Sequence, residues 1–334
     1  MRRLIVTFCL LAVGAITGAA QSANSVPLDV RLRLLRAEDT RDWNDDAQKL
    51  FAHPDARTRV AAALTAGRIG DERAVAPLVE LLNHDKDDAL RAMAAFALGE
   101  IESAQGADAL IAAASNERRE PPEIRARAVE ALGKIAAALT DKDKEQKATI
   151  GAAILDALRF EAGRRSASDE AVILAGVTAA LRARPEGAGL VVAEFLRYSS
   201  PRVRADALNA LARLRAKDAL PQVRELLKDS DPIIRANAAR VLGGAEDKSA
   251  VELLMNALND SDSRVRVAAI RALGALKVEV NEMFERASSA LTLVGDPYVA
   301  RLYQQLSIRF HLDGMREDGL PIPVPTAISD YVEV

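Results

Sequence analysis

A ten-residue pattern of the form V-R-x-x-A-x-x-A-L-G returns along most of this chain. It reads TRVAAALTAG at Thr58–Gly67 and LRAMAAFALG at Leu90–Gly99, then recurs at Ile124–Gly133, Val203–Ala212, Ile234–Gly243 and Val265–Gly274. With the last residue of each copy as reference, the references lie 32, 34, 79, 31 and 31 residues apart. A seventh, poorly matching unit, Ala171–Leu181, falls in the long gap. A period of this size constrains the fold strongly, because each unit can bury its apolar face only by stacking on its neighbours. Second helices are expected between the signature helices, at Ala74–Leu82, Ala107–Ala114, Ala219–Lys228 and Ser249–Asn259. Apolar residues recur there at helical spacing, as in Val75, Leu78, Val79 and Leu82. The expected fold is all-α: a right-handed α-solenoid of about seven to eight helical hairpins.

Several positions agree between copies at once. An arginine stands eight before the reference: Arg59, Arg91, Arg125, Arg204, Arg235 and Arg266. An alanine stands five before it: Ala62, Ala94, Ala128, Ala207, Ala238 and Ala269. Asp55, Asp87, Asp231 and Asp262 stand twelve before it, where a carboxylate can cap the free amides of a helix start. The alanine and the reference glycine suit close helix contacts, where a larger side chain costs about 1–3 kcal/mol. The arginines are expected to form a structural ladder, each bonding an aspartate or turn carbonyl of the adjacent unit. A ligand-binding basic stripe is the other reading of them. In the seventh unit Leu174 and Val177 are read at the arginine and alanine places.

Over roughly Leu50 to Leu276 the pattern resembles HEAT-like repeats, in particular the short type also found in phycobilisome bilin lyases. The resemblance implies that the signature helices line a concave surface. Residues three before the reference then face outward from the buried stripe: Leu64, Phe96, Glu130, Asn209, Arg240 and Arg271, with Met93 beside Phe96. These seven are the candidate partner-binding residues. The row begins apolar and turns basic toward the C-terminus, and exposed apolar side chains are candidate anchors.

The rest of the chain divides around this array. Arg2 and Arg3, the apolar Leu4–Ile16 and the small residues Gly18-Ala19-Ala20 read as a signal peptide over 1–20, cleaved before Gln21. The apolar run is shorter than the roughly 20 residues of a membrane-spanning helix, so no stable membrane insertion is expected after cleavage. The expected location is periplasmic or secreted. Cys9, the only cysteine, lies in this leader, so the mature chain would carry no thiol chemistry. Residues 21–51 are expected to cap the array, with Trp43, Leu50 and Phe51 shielding its first helix. The array itself spans 52–276, with an irregular unit at 134–183. There an inserted helix, Ala148–Phe160, is flanked by a mixed-charge loop at Asp141–Lys147 and a second loop at Gly163–Ser168. Capping helices at 277–312 and a Pro-rich extended tail at 313–334 complete the chain.

Function classes are narrowed by what the residues do not arrange. A formal net charge of -3 is not the basic footprint of a nucleic-acid binder. His53, His84 and His311 are too scattered for a metal site, and no phosphate loop, nucleophile elbow or H-E-x-x-H helix is present. No catalytic residues, metal or cofactor are therefore assigned. The leading expectation is a non-catalytic cell-envelope scaffold or adaptor that binds a protein or peptide on the concave face. One alternative is the targeting arm of a larger secreted enzyme, such as a cyclophilin-type peptidylprolyl isomerase whose catalytic domain is absent here. Another is a repeat-based lyase or small-ligand carrier.

Overall fold

The computed structural model describes residues 26–164 and 167–278. The expected leader, the capping helices beyond Val278, the tail and His311 lie outside the described residues. The described residues form two compact units, divided between Ala188 and Gly189.

The described residues are α-helical throughout, with short 3-10 turns between helices and no strand among them. In the first unit the helices are α1 (Leu28–Thr40), α2 (Asp45–Gln48), α3 (Ala56–Ile69), α4 (Val75–His84), α5 (Asp88–Ile101), α6 (Ala107–Ala114), α7 (Pro122–Ala138), α8 (Lys144–Arg164) and α9 (Glu170–Ala183). The second holds α10 (Ala188–Ala193, its first residue in the first unit), α11 (Pro201–Leu214), α12 (Leu220–Glu225), α13 (Pro232–Gly244), α14 (Val251–Ala257) and α15 (Ser263–Ala275). The signature helices are α3, α5, α7 and α9 in one unit and α11, α13 and α15 in the other. Within each unit, signature helices pack on their sequence neighbours, and shorter helices pack behind them.

Side-chain size sets that packing. Ala62, Ala94, Ala128, Ala207, Ala238 and Ala269 have no solvent exposure, as expected of the position five before the reference. The reference glycines meet the next signature helix directly. A Cβ added at Gly67 would come within 2.9 Å of Ala97 Cα, at Gly99 within 2.7 Å of Ala131 Cα, and at Gly133 and Gly243 within 2.6 Å of Ala179 and Ala272 Cα. Each of those alanines stands two before the next reference. At the N-terminal end Trp43, Leu50 and Phe51 are buried, with Trp43 and Phe51 ring centroids 5.0 Å apart.

The seventh unit has a different register from the one read in the sequence. Ala179 meets Gly133, which makes Leu181 the reference. The positions twelve, eight and five before it are then Asp169, Ile173 and Gly176, not residues aligned with Leu174 and Val177. Asp169 caps α9 by accepting from the Ala171 and Val172 amides. Gly176 keeps the small-residue position against the Leu158 side chain. The unit is one residue out of the sequence register and otherwise regular, 31 residues before Ala212.

The inserted helix is also redrawn. Ala148–Phe160 is the middle of the 21-residue α8, which is simply a lengthened second helix of its hairpin. Most of the expected mixed-charge loop is a 3-10 turn at Asp141–Asp143 followed by the first turn of α8, joined through a reciprocal Thr140–Asp143 capping box. Gly163 and Arg164 likewise end α8 and do not begin a loop.

Six signature helices end at a left-handed residue three after the reference: Gly70, Glu102, Arg184, Arg215, Glu246 and Lys277. Only the first is glycine, the residue that adopts this conformation without strain. Glu102, at φ 57°, is exposed and its amide bonds Leu98 O. Glu102→Gly is therefore expected to stabilise the protein by about 0.5–1 kcal/mol, read as a shift in the urea midpoint.

Candidate functional site

The arginine ladder is built from two acids per repeat, spaced as D-x-D. In Asp85-Lys86-Asp87, Asp229-Ser230-Asp231 and Asp260-Ser261-Asp262 the second aspartate is the N-cap of a signature helix. The first accepts the second's own amide, at 2.8, 2.9 and 2.9 Å respectively. It also takes the arginine of the preceding signature helix. Arg59 bonds both oxygens of Asp85 at 3.1 and 3.2 Å, and Arg235 both of Asp260 at 2.7 Å. Arg204 Nη2 reaches Asp229 at 2.9 Å.

In four of the arginines Nη1 donates to carbonyls of the turn that precedes the arginine's own helix. Arg59 takes His53 and Pro54, Arg204 takes Tyr198 and Ser199, Arg235 takes Asp229 and Ser230, and Arg266 takes Asp260 and Ser261. Thus the carboxylates come from the next repeat and the carbonyls from the local turn. Burial alone would raise the Asp260 carboxyl. The Arg235 and Asp262-amide hydrogen bonds and the Arg235 charge outweigh it and hold Asp260 below the usual carboxylate range.

Two rungs lack the D-x-D spacing. Arg91 Nη1 pairs with Glu120 at 2.7 Å, beside Pro121. Arg125 Nη1 pairs with Glu161 of α8 at 2.7 Å, and this pair is buried, with side chains 4% and 0% exposed. Glu161 additionally accepts the Asp169 amide at 2.7 Å and faces Arg164 at 3.4 Å. The Phe160 ring lies 5.0 Å from the Arg125 guanidinium carbon, stacking on the cation.

The seven candidate partner-binding residues all reach the surface of their own unit. Leu64, Met93, Phe96 and Glu130 are half-buried on α3, α5 and α7, while Asn209, Arg240 and Arg271 are exposed on α11, α13 and α15. The structure adds neighbours that spacing did not single out. The Phe96 ring carries Lys134 Nζ at 4.8 Å and the Arg127 guanidinium at 5.5 Å, both from α7. Lys134 in turn bonds Glu100 at 2.6 Å and Glu130 at 3.0 Å, and Arg127 bonds Glu130 at 3.2 Å. Burial raises the Glu130 carboxyl, but the Lys134 and Arg127 bonds and charges more than offset this and leave it lowered. The i,i+3 and i,i+4 charges around Glu130 were the available signal. Phe96 is thus a half-exposed ring under two cations, next to Met93 on its own helix. In the second unit Arg240 donates to Asn237 one turn away.

His53 accepts the Asp55 amide through Nδ1 at 3.1 Å, and exposed His84 lies 3.0 Å from Glu80. Among the described residues no group of three His, Cys, Asp or Glu side chains could hold a metal ion, and no helix is long and apolar enough to cross a membrane.

Stacked helical hairpins with an internal charge ladder define an all-α solenoid. Models of HEAT repeats match residues 28–92, 84–159 and 223–302, and the PBS lyase HEAT-like repeat matches 203–229. The chain belongs to the HEAT-repeat family. No curated protein matches its sequence. Among solved structures it is similar to YibA of Escherichia coli, at 19% identity over 85% of this chain and 98% of that one, with a TM-score of 0.56. An engineered protein is similar at 20% identity over 86% and 82%, with a TM-score of 0.51. Both likenesses concern the fold. The CpcE–CpcF phycocyanin lyase of Nostoc is more distant, at 20% identity over 75% and 92% and a TM-score of 0.42, too low to speak to activity.

Proposed function

We propose that this protein is a non-catalytic scaffold of the cell envelope that binds a protein or peptide on the outward faces of its signature helices. The half-exposed Phe96 and its neighbours carry this reading: an aromatic ring flanked by Met93 and topped by Lys134 and Arg127 offers apolar area and charge together. Arg59 and Arg235 of the ladder support it from the other side, since they bond carboxylates and turn carbonyls within the repeats. The Arg2–Ala20 stretch supports export to the periplasm or beyond. The reading is tested by in-cell crosslinking and affinity capture of the native product. A defined partner recovered with wild type and depleted with Phe96→Asp is the expected result. Capture of no partner, or equal recovery with both, would count against it.

A further inference from the structure

The second unit contains a cleft of about 390 Å³ between α11, α12 and α13. Its origin is visible in the repeat register. At the α3/α5, α5/α7, α7/α9 and α13/α15 junctions a reference glycine packs on an alanine. At α11/α13 the two positions hold Ala212 and Val241, and both side chains line the cleft. A glycine–alanine pair lets two backbones touch, whereas an alanine–valine pair has more volume at each place and holds the helix ends apart.

The cleft is lined by apolar and basic residues. Val241, Ala212, Ala216 and Ala245 reach its surface over the buried Leu220 and Val223 of α12, while Arg215, Lys217 and Arg240 contribute three cations against the single acid Glu246. Among the described residues no carboxylate bonds Arg215 or Lys217, and Arg240 donates to the neutral Asn237. The helix C-termini that point here would favour cations, but their carbonyls are already occupied. Leu211 O and Ala212 O accept from Ala216 and Arg215, and Val241, Leu242 and Gly243 O accept from Ala245, Asp247 and Glu246. What the cleft offers an incoming group is therefore charge-assisted donors around a hydrocarbon surface.

We infer that this cleft binds an acidic peptide segment, with an apolar side chain seated against Val241 and the neighbouring Ala212, Ala216 and Ala245 and flanking carboxylates on Arg215, Lys217 and Arg240. The inference rests on the scaffold reading for its class of partner and adds the chemistry of one site. A small inorganic anion would leave the apolar lining uncovered, and a purely apolar segment would leave the cations unpaired. The volume falls in the range of preformed ligand sites. Rim charges of this kind act on encounter and salt dependence as well as on affinity.

The test uses the full chain and two fluorescein-labelled peptides, one alternating Asp or Glu with Leu, the other with lysine in place of each acid. Fluorescence anisotropy should show saturable binding of the acidic peptide only, weakening steadily as salt is raised. Arg240→Glu, and Lys217→Glu combined with Arg215→Gly, should each lower affinity about tenfold or more. The glycine variant relieves the left-handed backbone at Arg215, so loss of folding does not confuse the result. Lys228→Glu, elsewhere on the same unit, should change affinity far less. Equal binding of both peptides, or cleft variants that bind like wild type, would overturn the inference. If a native partner is captured through Phe96 while the cleft variants leave it unaffected, the scaffold reading survives and the cleft assignment fails. Specific peptide binding in the cleft, with no native partner captured, would do the reverse.

Discussion

Glu161→Ala is expected to lower stability by about 3–5 kcal/mol, the cost of leaving one partner of a buried ion pair uncompensated. Glu161 is fully buried and pairs with Nη1 of Arg125, itself 4% exposed, at 2.7 Å. Arg125 Nε and Nη2 have no hydrogen-bond partner among the described residues, so the carboxylate at Nη1 is its principal compensation. The same side chain receives the Asp169 amide, so the variant also strips an acceptor from the turn that enters α9. The pair is not thereby a large net source of stability. Replacing both members with apolar residues, as in Arg125→Met with Glu161→Leu, should recover most of the loss, because two desolvated charges disappear together. Urea unfolding of the two single variants and the double variant measures this. A Glu161→Ala loss under about 1 kcal/mol would show that water or rearranged neighbours replace the carboxylate.

The second large effect is expected at the repeat junctions. A Cβ at Gly133 would sit 2.6 Å from the Ala179 backbone and 2.7 Å from its side chain. Neither neighbour has a flexible end that can swing away, so α7 and α9 must separate. Gly133→Leu is expected to destabilise by about 1–3 kcal/mol or more. Gly163→Ala is the matched control, since nothing lies within 4 Å of its added Cβ near the end of α8. It should be neutral or gain up to about 1 kcal/mol through better helix propensity. Thermal melts followed by circular dichroism separate the two. Equal behaviour of both variants would mean that the junction relaxes without loss.

Much of this fold was legible because a solenoid writes its contacts at fixed intervals. The alanine at minus five and the glycine at the reference state where helices touch: the alanines are buried in all six copies, and so are Gly67, Gly99, Gly133 and Gly243 at the reference. The seventh unit lies one residue from the register expected of it, because Ile173 stands where the other copies carry the arginine. Asp169 and Gly176 carried the correct register and could have been used. The arginine–aspartate contact was legible as a class, but the spacing singles out the capping aspartate and not Asp85, Asp229 or Asp260, two residues before it, which holds the ladder. Glu161 could not be found from local spacing, since its carboxylate reaches Arg125 from a helix of variable length.

The surface was less legible than the core. At three before the reference, Asn209, Arg240 and Arg271 are exposed while Leu64, Phe96 and Glu130 are half-buried. That spacing did not reveal that Lys134 and Arg127 cover the Phe96 ring, because that contact joins two helices 34 residues apart in register. The cleft beside Arg240 depends on Ala212 and Val241 together, a pair that no single repeat displays.

If binding resides on the outward faces while the arginines and small residues serve the fold, Phe96→Asp separates the two. Titration calorimetry of the captured partner against wild type and Phe96→Asp, with a melt on each sample, should give at least about tenfold weaker binding with a melting profile unchanged within about 0.5 kcal/mol. Unchanged affinity, or a melt that falls along with the binding, would contradict it and return Phe96 to the core.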